Sequence, residues 1–343
     1  MGAVETSSSG RARWPLILGT LAGLALLVWF LWNLHWGELL RLLSTMSWTW
    51  LGVSAALMIV DYGFHALRWW ILIRQVDPNT PLPLVISATA IGTGMNTLLP
   101  FRAGAFVRPG IVAARRNLSY ATILATTLAE AICDLFGVVG ILLWMVWYLP
   151  ASEPGSALEK VRTAGSVAVV FSVGVFVALA LMRSPRAIVF LQRMTGRLPA
   201  SIADRAFGWV AQFATGVEVL AHPQRLAAAL LVTVGVWVSW VLALLATFKA
   251  LGLELPVAAA VLLEAVLAVE MMVPQAPGFI GGFQHFTVIT LAIFDVVGAP
   301  AEAVALVFWA VCFVPVTVWG VIEGWMQGFG LLTTQKDVAE AMQ

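Results

Sequence analysis

Two arginines and two carboxylates stand out in a chain that is otherwise mostly hydrocarbon. The stretch GMNTLLPFRAGAFVRPG, residues 94–110, places Arg102 and Arg108 just after Pro100, with small residues between them. A guanidinium presents a fork of donors that matches phosphate bidentately, so a lipid head group is the natural anion for both. An arginine inside a bilayer costs at least about 2.5–3.5 kcal/mol and persists when it pairs or does work. The other reading of both residues is a topology anchor at the membrane surface, the role assigned to Arg115 and Arg116.

The carboxylates Glu130 and Asp134 are four residues apart and share a helical face. In an apolar helix they need compensation, and Arg102 and Arg108 are the obvious partners. The four together are either a head-group site or an ion-pair clamp. Asp61, His65 and Arg68 follow at spacings of four and three, again on one face. Asp61 and His65 read as a self-satisfied pair or as proton-coupling groups. Arg68 is a further candidate for the site unless it snorkels to the surface. Glu264 and Glu270 precede a second interruption, Gln284 and His285 follow it, and Glu270 is the coupling candidate among them.

That second interruption is VPQAPGFIGGFQH, with Pro274, Pro277, Gly278 and Gly281 as its hinge residues; Pro100 and Gly104 play the same part in the first. Proline removes a backbone donor and glycine allows tight turns. In hydrocarbon a broken helix must be buried in protein or line a wet cavity. A plain kink is the alternative for each break taken alone.

These residues have to be positioned by a membrane scaffold. Of 343 residues 61% are hydrophobic and 11% charged, and the mean hydropathy is +0.93. A soluble domain carries roughly a quarter charged residues. The apolar segments are 14–34, 48–73, 82–99, 118–149, 161–182, 225–250, 256–273, 278–297 and 302–327. All read as helices by length and by lack of alternation. No small-residue cleavage site follows 14–34, which reads as an uncleaved first span. Tryptophans such as Trp48, Trp50, Trp147 and Trp325 lie at segment ends, as in an interfacial belt. Cys133 and Cys312 fall inside apolar runs and read as small buried hydrophobes.

Basic runs at 102–116 and 183–205 place both regions on the cytoplasmic side, and Arg11 and Arg13 do the same for the N-terminus. Segment 82–99 must then enter the membrane and return near Pro100. The expectation is an all-α polytopic membrane protein with about six full spans and two opposed re-entrant helical hairpins in two inverted repeats. Nine full spans, with the N-terminus outside, is the alternative. The pseudo-repeats cover about 48–150 and 225–330. Span 161–182 and a basic, amphipathic segment 183–222 link them within one membrane domain. Pro100 lies 52 residues after Trp48 (100 − 48) and Pro277 lies 52 after Arg225 (277 − 225). Broken segments at corresponding positions of two halves point to a transporter's binding site.

No nucleotide-binding loop, dinucleotide fingerprint or His/Cys metal cluster is seen, so no cofactor, metal or catalytic residue is assigned. The net charge of +1 gives no reason to invoke nucleic acid.

Taken together, NTLLPFRAGAFVR (Asn96 to Arg108), LAEAICD (128–134) and PQAPGFIGGFQ (274–284) resemble the flippase-like family named after the transmembrane region of lysyl-phosphatidylglycerol synthase. Asn96, Pro100, Arg102, Gly104 and Arg108 match its first motif, while Ala105 stands where an acid is expected. Pro274, Pro277, Gly278 and Gly281 match the second, with Gln284 where many relatives carry Glu. The resemblance implies movement of a lipid with a polar, phosphate-bearing head group between leaflets of a prokaryotic cytoplasmic membrane. With the residue-level reading, Asn96, Arg102, Arg108, Glu130, Asp134 and Arg68 are the expected substrate-binding set. The family's full-length synthases append an aminoacyl-transferase domain, which is not expected here. The expectation is a non-enzymatic translocator; an integral-membrane glycosyl- or aminoacyl-lipid transferase and a non-transporting partner of an envelope enzyme are the alternatives. Both termini are expected in the cytoplasm.

Overall fold

The computed structural model describes Trp32, Arg102, Ser166 and residues 34–99, 104–148, 223–272 and 277–327. The expected spans 14–34 (apart from Trp32 and Leu34) and 161–182 (apart from Ser166), the segment 183–222, and the hinges Pro100 and Pro274 lie outside the described residues. So do the two termini.

Among the described residues the chain is all helix. It runs α1 (Trp36–Thr45), α2 (Trp48–Ile73), α3 (Leu82–Leu98), α4 (Gly104–Arg116), α5 (Tyr120–Tyr148), α6 (Pro223–Ala250) and α7 (Val257–Met272). A 3-10 turn (Pro277–Phe279), α8 (Gly282–Leu291), a second 3-10 turn (Ala292–Phe294) and α9 (Ala299–Met326) follow. Among the described residues five stretches are long and apolar enough to cross a membrane: Trp48–Ile73, Tyr120–Ile141, Gln224–Ala250, Pro277–Phe294 and Ala299–Met326. This is a multi-pass membrane protein.

The series α2–α5 and α6–α9 have matching lengths. A helix of 26 residues is followed by helices of 17, 13 and 29; one of 28 is followed by helices of 16, 10 and 28. At 1.5 Å per residue the long members reach about 40 Å, past the roughly 30 Å hydrocarbon core. The short members α3 and α7 reach only about 25 Å.

Three elements differ from the sequence reading, the first being α1, a helix that lies between the expected segments 14–34 and 48–73. Residues 104–116 were expected as a basic connection, yet they form α4, because Val107, Ile111 and Val112 lie four and five apart and make a buried face. The expected single run 278–297 is α8 flanked by 3-10 turns, because Gly278 at φ 73° interrupts it at one end and Asp295 at φ 61° ends it. The other boundaries agree within three residues.

The chain divides into two compact units: Met1–Ile59, Ala90–Phe106 and Val241–Phe329 form one, and Val60–Thr89, Val107–Trp240 and Gly330–Gln343 form the other. In the first, α8 packs on α7 and α9, and α9 packs on α1. Phe283 sits edge-on to Phe313 at 5.5 Å and tilted against Phe308 at 6.1 Å, and this aromatic cluster fills the space between α8 and α9. His35 fastens α1 to α9: its backbone N–H donates to Glu302 at 3.0 Å, and Nδ1 pairs with the same carboxylate at 2.8 Å. That bond holds the His35 imidazole above its ordinary value of 6.5, with the charge of Glu302 adding to it.

The second unit packs the C-terminal part of α2 against α5 and α6. Trp69, fully buried, donates its indole N–H to Thr126 at 2.9 Å. The turn after α2 is built on Asp77, which accepts from Asn79 N at 3.1 Å, Thr80 Oγ1 at 2.7 Å and Arg116 Nε at 2.6 Å. These donors, Arg116 first, hold the Asp77 carboxyl down at about 2. Large apolar side chains left exposed, among them Val234, Leu231, Val318 and Trp325, are those that a bilayer would cover.

Candidate functional site

In the first unit the two helix breaks meet. The first is a reversal: a Cβ on Gly104 would lie 1.8 Å from the Gly92 carbonyl oxygen, so only glycine lets α4 start this close to α3. Asn96 Oδ1 accepts the Ala105 N–H at 2.9 Å, satisfying one of the four donors that the start of α4 leaves open. The motif asparagine thus pins the reversal. Between the helices Arg102 has φ 53°, a left-handed conformation costing about 1–3 kcal/mol for a non-glycine residue. Its Nη1 donates to the Met271 carbonyl oxygen at 2.9 Å, in the last turn of α7. Carbonyls there lack intrahelical partners, and a cation complements that end of the helix dipole.

The second break supplies the other wall. Phe279, also left-handed at φ 57°, places its ring 6.0 Å from the Arg102 guanidinium carbon. Gly278 approaches the Thr97 carbonyl: a Cβ there would lie 3.7 Å from its oxygen. Trp309 of α9 donates its indole N–H to the Gly278 carbonyl at 2.7 Å. Gln284 Oε1 accepts the Gly281 N–H at 2.7 Å, so the residue found in place of an expected acid closes the first turn of α8. Glu264 and Glu270 are buried in this unit, on α7.

In the second unit four helices contribute to one polar cluster. Arg68 of α2 grips Asp134 of α5 with a two-pronged fork, Nη1 to Oδ1 at 2.5 Å and Nη2 to Oδ2 at 3.1 Å. Its Nη1 also donates to Thr233 of α6 at 3.2 Å, and its Nε lies 3.6 Å from Glu130 Oε1. Arg108 of α4 pairs with Glu130 Oε2 and stacks its guanidinium 4.3 Å over the Trp69 ring. Two cations and two carboxylates balance, as burial in low dielectric requires.

Asp61 and His65 extend this cluster along α2. Ser239 of α6 donates to Asp61 Oδ1 at 3.3 Å. His65 Nε2 lies 3.7 Å from Asp61 Oδ2, and His65 Nδ1 meets Arg68 Nη2 at 3.4 Å.

The sequence-level pairings therefore change. Arg108 does partner Glu130, but Asp134 is held by Arg68. Arg102 is committed to a helix end in the other unit. Arg68 does not snorkel: its side chain is 1% exposed, because Asp134 and Glu130 on the facing helix satisfy it in place. Arg102, Asn96, Gly104, Pro277, Gly278, Gly281 and Glu270 belong to the first unit. Arg108, Glu130, Asp134, Arg68, Asp61 and His65 belong to the second. Thr233, Ser239, Trp69 and Phe279 had not been singled out. The only trace of the first two was a hydroxyl within a hydrocarbon span. Among the described residues no group of three or more His, Cys, Asp or Glu is placed to hold a metal.

The chain is similar in sequence to known proteins. The glycosyltransferase AglD of Haloferax volcanii is 24% identical over 331 residues, taking in 88% of this chain and 53% of that protein. The chain thus spans about half the length of this curated relative. The family model describing the lysylphosphatidylglycerol synthase TM region matches residues 16–320, nearly the whole chain, and the protein belongs to that family.

Proposed function

We propose that this protein is a translocator that moves a phosphate-bearing lipid between the leaflets of a prokaryotic cytoplasmic membrane. The observation that carries the reading is the meeting of the two breaks at Arg102, Met271 and Phe279. Arg102 is exposed, and its bond to the Met271 carbonyl holds one donor of its fork. A phosphate oxygen is a stronger acceptor than a neutral carbonyl and can take that place. The Phe279 ring, buried and stacked on Phe313 at 5.1 Å, lies beside the guanidinium.

In this reading α3–α4 and α7–α8 are re-entrant hairpins in two inverted repeats, entering from opposite faces, with both termini cytoplasmic. The short reach of α3 and α7 and the matching length series support it. The cluster of Arg68, Asp134, Glu130 and Arg108 braces the second unit. Arg108, with 17% of its side chain exposed, is the second head-group candidate.

Transfer of a sugar to a lipid is the competing reading, favoured by the name of the Haloferax volcanii relative. A leaflet-accessibility assay separates the two. Purified protein in vesicles is given a phospholipid with a fluorescent tail, and the outer leaflet is quenched. Translocation predicts that the protected fraction becomes quenchable with time and that the lipid stays chemically unchanged. No movement, with a new glycolipid formed from an added nucleotide sugar, would overturn it.

A further inference from the structure

We infer that Asp61 and His65 form a proton-binding site built onto the Arg68–Asp134 fork, so that the protein takes up a proton when that fork opens. The inference rests on the translocator reading for its purpose and on geometry for its existence. Arg68 can only donate, so at the 3.4 Å contact His65 Nδ1 must be the acceptor. A neutral imidazole has one N–H, which then sits on Nε2 and points at Asp61 Oδ2, 3.7 Å away. His65 therefore bridges a carboxylate and a guanidinium on one face of α2, in one defined tautomer.

Protonation changes this arrangement in a specific way. The lone pair of Nδ1 takes a proton from water and becomes a donor, facing the donor Nη2 of Arg68 across the same gap. Two cationic donors cannot share that contact. The imidazolium is held by Asp61, and Arg68 must withdraw, loosening its hold on Asp134. When Arg68 returns, Nδ1 loses its proton to water again. Of the pair, His65 is the member that reaches the surface, with 31% of its side chain exposed against 1% for Asp61.

The surroundings favour a proton over a metal cation. Facing the pair are Arg68 from α2 itself and Asp134 and Glu130 from α5, with Arg108 of α4 behind Glu130. From α6 the hydroxyl of Ser239 reaches Asp61 and that of Thr233 reaches Arg68. Two guanidinium groups oppose a bound metal ion, whereas the imidazole nitrogen has only to take up a proton. Because the Arg68 fork ties α2 to α5, one proton at His65 alters the brace of the unit.

Two measurements test this. Nitrogen NMR of the full chain in lipid nanodiscs, assigned by loss of the signal in His65→Gln, should show the Nε2–H tautomer at high pH. Acidification should convert it to imidazolium and shift the Asp134 carboxyl carbon in step. An Nδ1–H tautomer, or an Asp134 signal that ignores the titration, overturns the proposal whether or not lipid moves. In vesicles, a one-unit pH gradient should skew the leaflet distribution of the labelled phospholipid by up to about tenfold per coupled proton. His65→Gln and Asp61→Asn should move lipid without the skew. Movement by wild type with no skew at any gradient overturns the coupling and leaves translocation standing. Absence of movement overturns translocation, and the NMR result then decides the proton site.

Discussion

Arg102 donates from Nη1 to the carbonyl oxygen of Met271 at 2.9 Å, joining two helix breaks that are 169 residues apart in the chain. The bond places a cation on the C-terminal end of α7, where the helix dipole is negative and the last carbonyls lack partners. It also ties the fate of one break to the other. If a phosphate takes the guanidinium, the end of α7 loses its partner, so anion capture and rearrangement of the second break become one event.

Arg102→Lys separates the two roles of this side chain. Lysine keeps the charge and can still donate to Met271, but it has no fork for two phosphate oxygens. Thermal unfolding in detergent should stay close to wild type while lipid movement falls several-fold. Equal loss of both would show that the residue serves the fold alone.

The buried cluster should govern stability. Arg68→Ala takes the fork from Asp134 and leaves Glu130 to Arg108 alone, and breaking a buried pair costs about 3–5 kcal/mol. Asp134→Asn should cost less, because 32% of its side chain is exposed and solvent screens it. Arg68→Met combined with Asp134→Leu should recover most of the loss, since a matched apolar pair leaves no uncompensated charge. Chemical or thermal unfolding of the three variants measures this.

Much of this was readable in the residues. The apolar runs, the glycines of both breaks and the paired acids of α5 are local signals, and most of the runs that the structure describes begin and end within three residues of the reading. The partners were not local. Spacing on α5 shows that Glu130 and Asp134 share a face, but it does not say whether Arg68 or Arg102 comes to meet them. That choice depends on which helices pack in which unit. α4 was hidden because Pro109, Gly110 and four arginines between 102 and 116 mimic a loop, while its buried face holds only a few large apolar residues, Val107, Ile111 and Val112. Asn96 and Gln284 were visible as polar residues in motifs, yet both bond to backbone at a helix start, a role that type alone does not reveal.

Gly104→Ala tests the reversal itself. The added methyl would meet the Gly92 carbonyl oxygen at 1.8 Å, a backbone atom that no rotamer change can move aside. Overpacking of this kind costs about 1–3 kcal/mol, and here the upper end is expected. Gly63→Ala, within α2 where a Cβ meets nothing within 4 Å and φ is ordinary, is the control. A Gly104→Ala protein that unfolds like wild type would argue against the close approach of α3 and α4.

Two surface groups set opposite pH dependences. Asp77, depressed to about 2 chiefly by Arg116, contributes stability that is present above its unfolded value near about 4 and is lost as pH falls toward 2. His35, raised above 6.5 by Glu302, contributes stability that is complete below that value and is lost as pH rises through its higher folded value. Asp77→Asn should flatten the acid limb of the unfolding profile, and His35→Gln the limb above neutrality. NMR titration of each group gives the pKa directly.

The central claim is that the paired breaks form a head-group site with Arg102 as its cation. The most direct test is the initial rate of lipid movement by Arg102→Ala in vesicles, set against wild type at equal amounts of folded protein. Loss of a charge-assisted pair worth about 1.5–3 kcal/mol predicts a rate lower by on the order of ten- to a hundredfold. An unchanged rate would contradict the account.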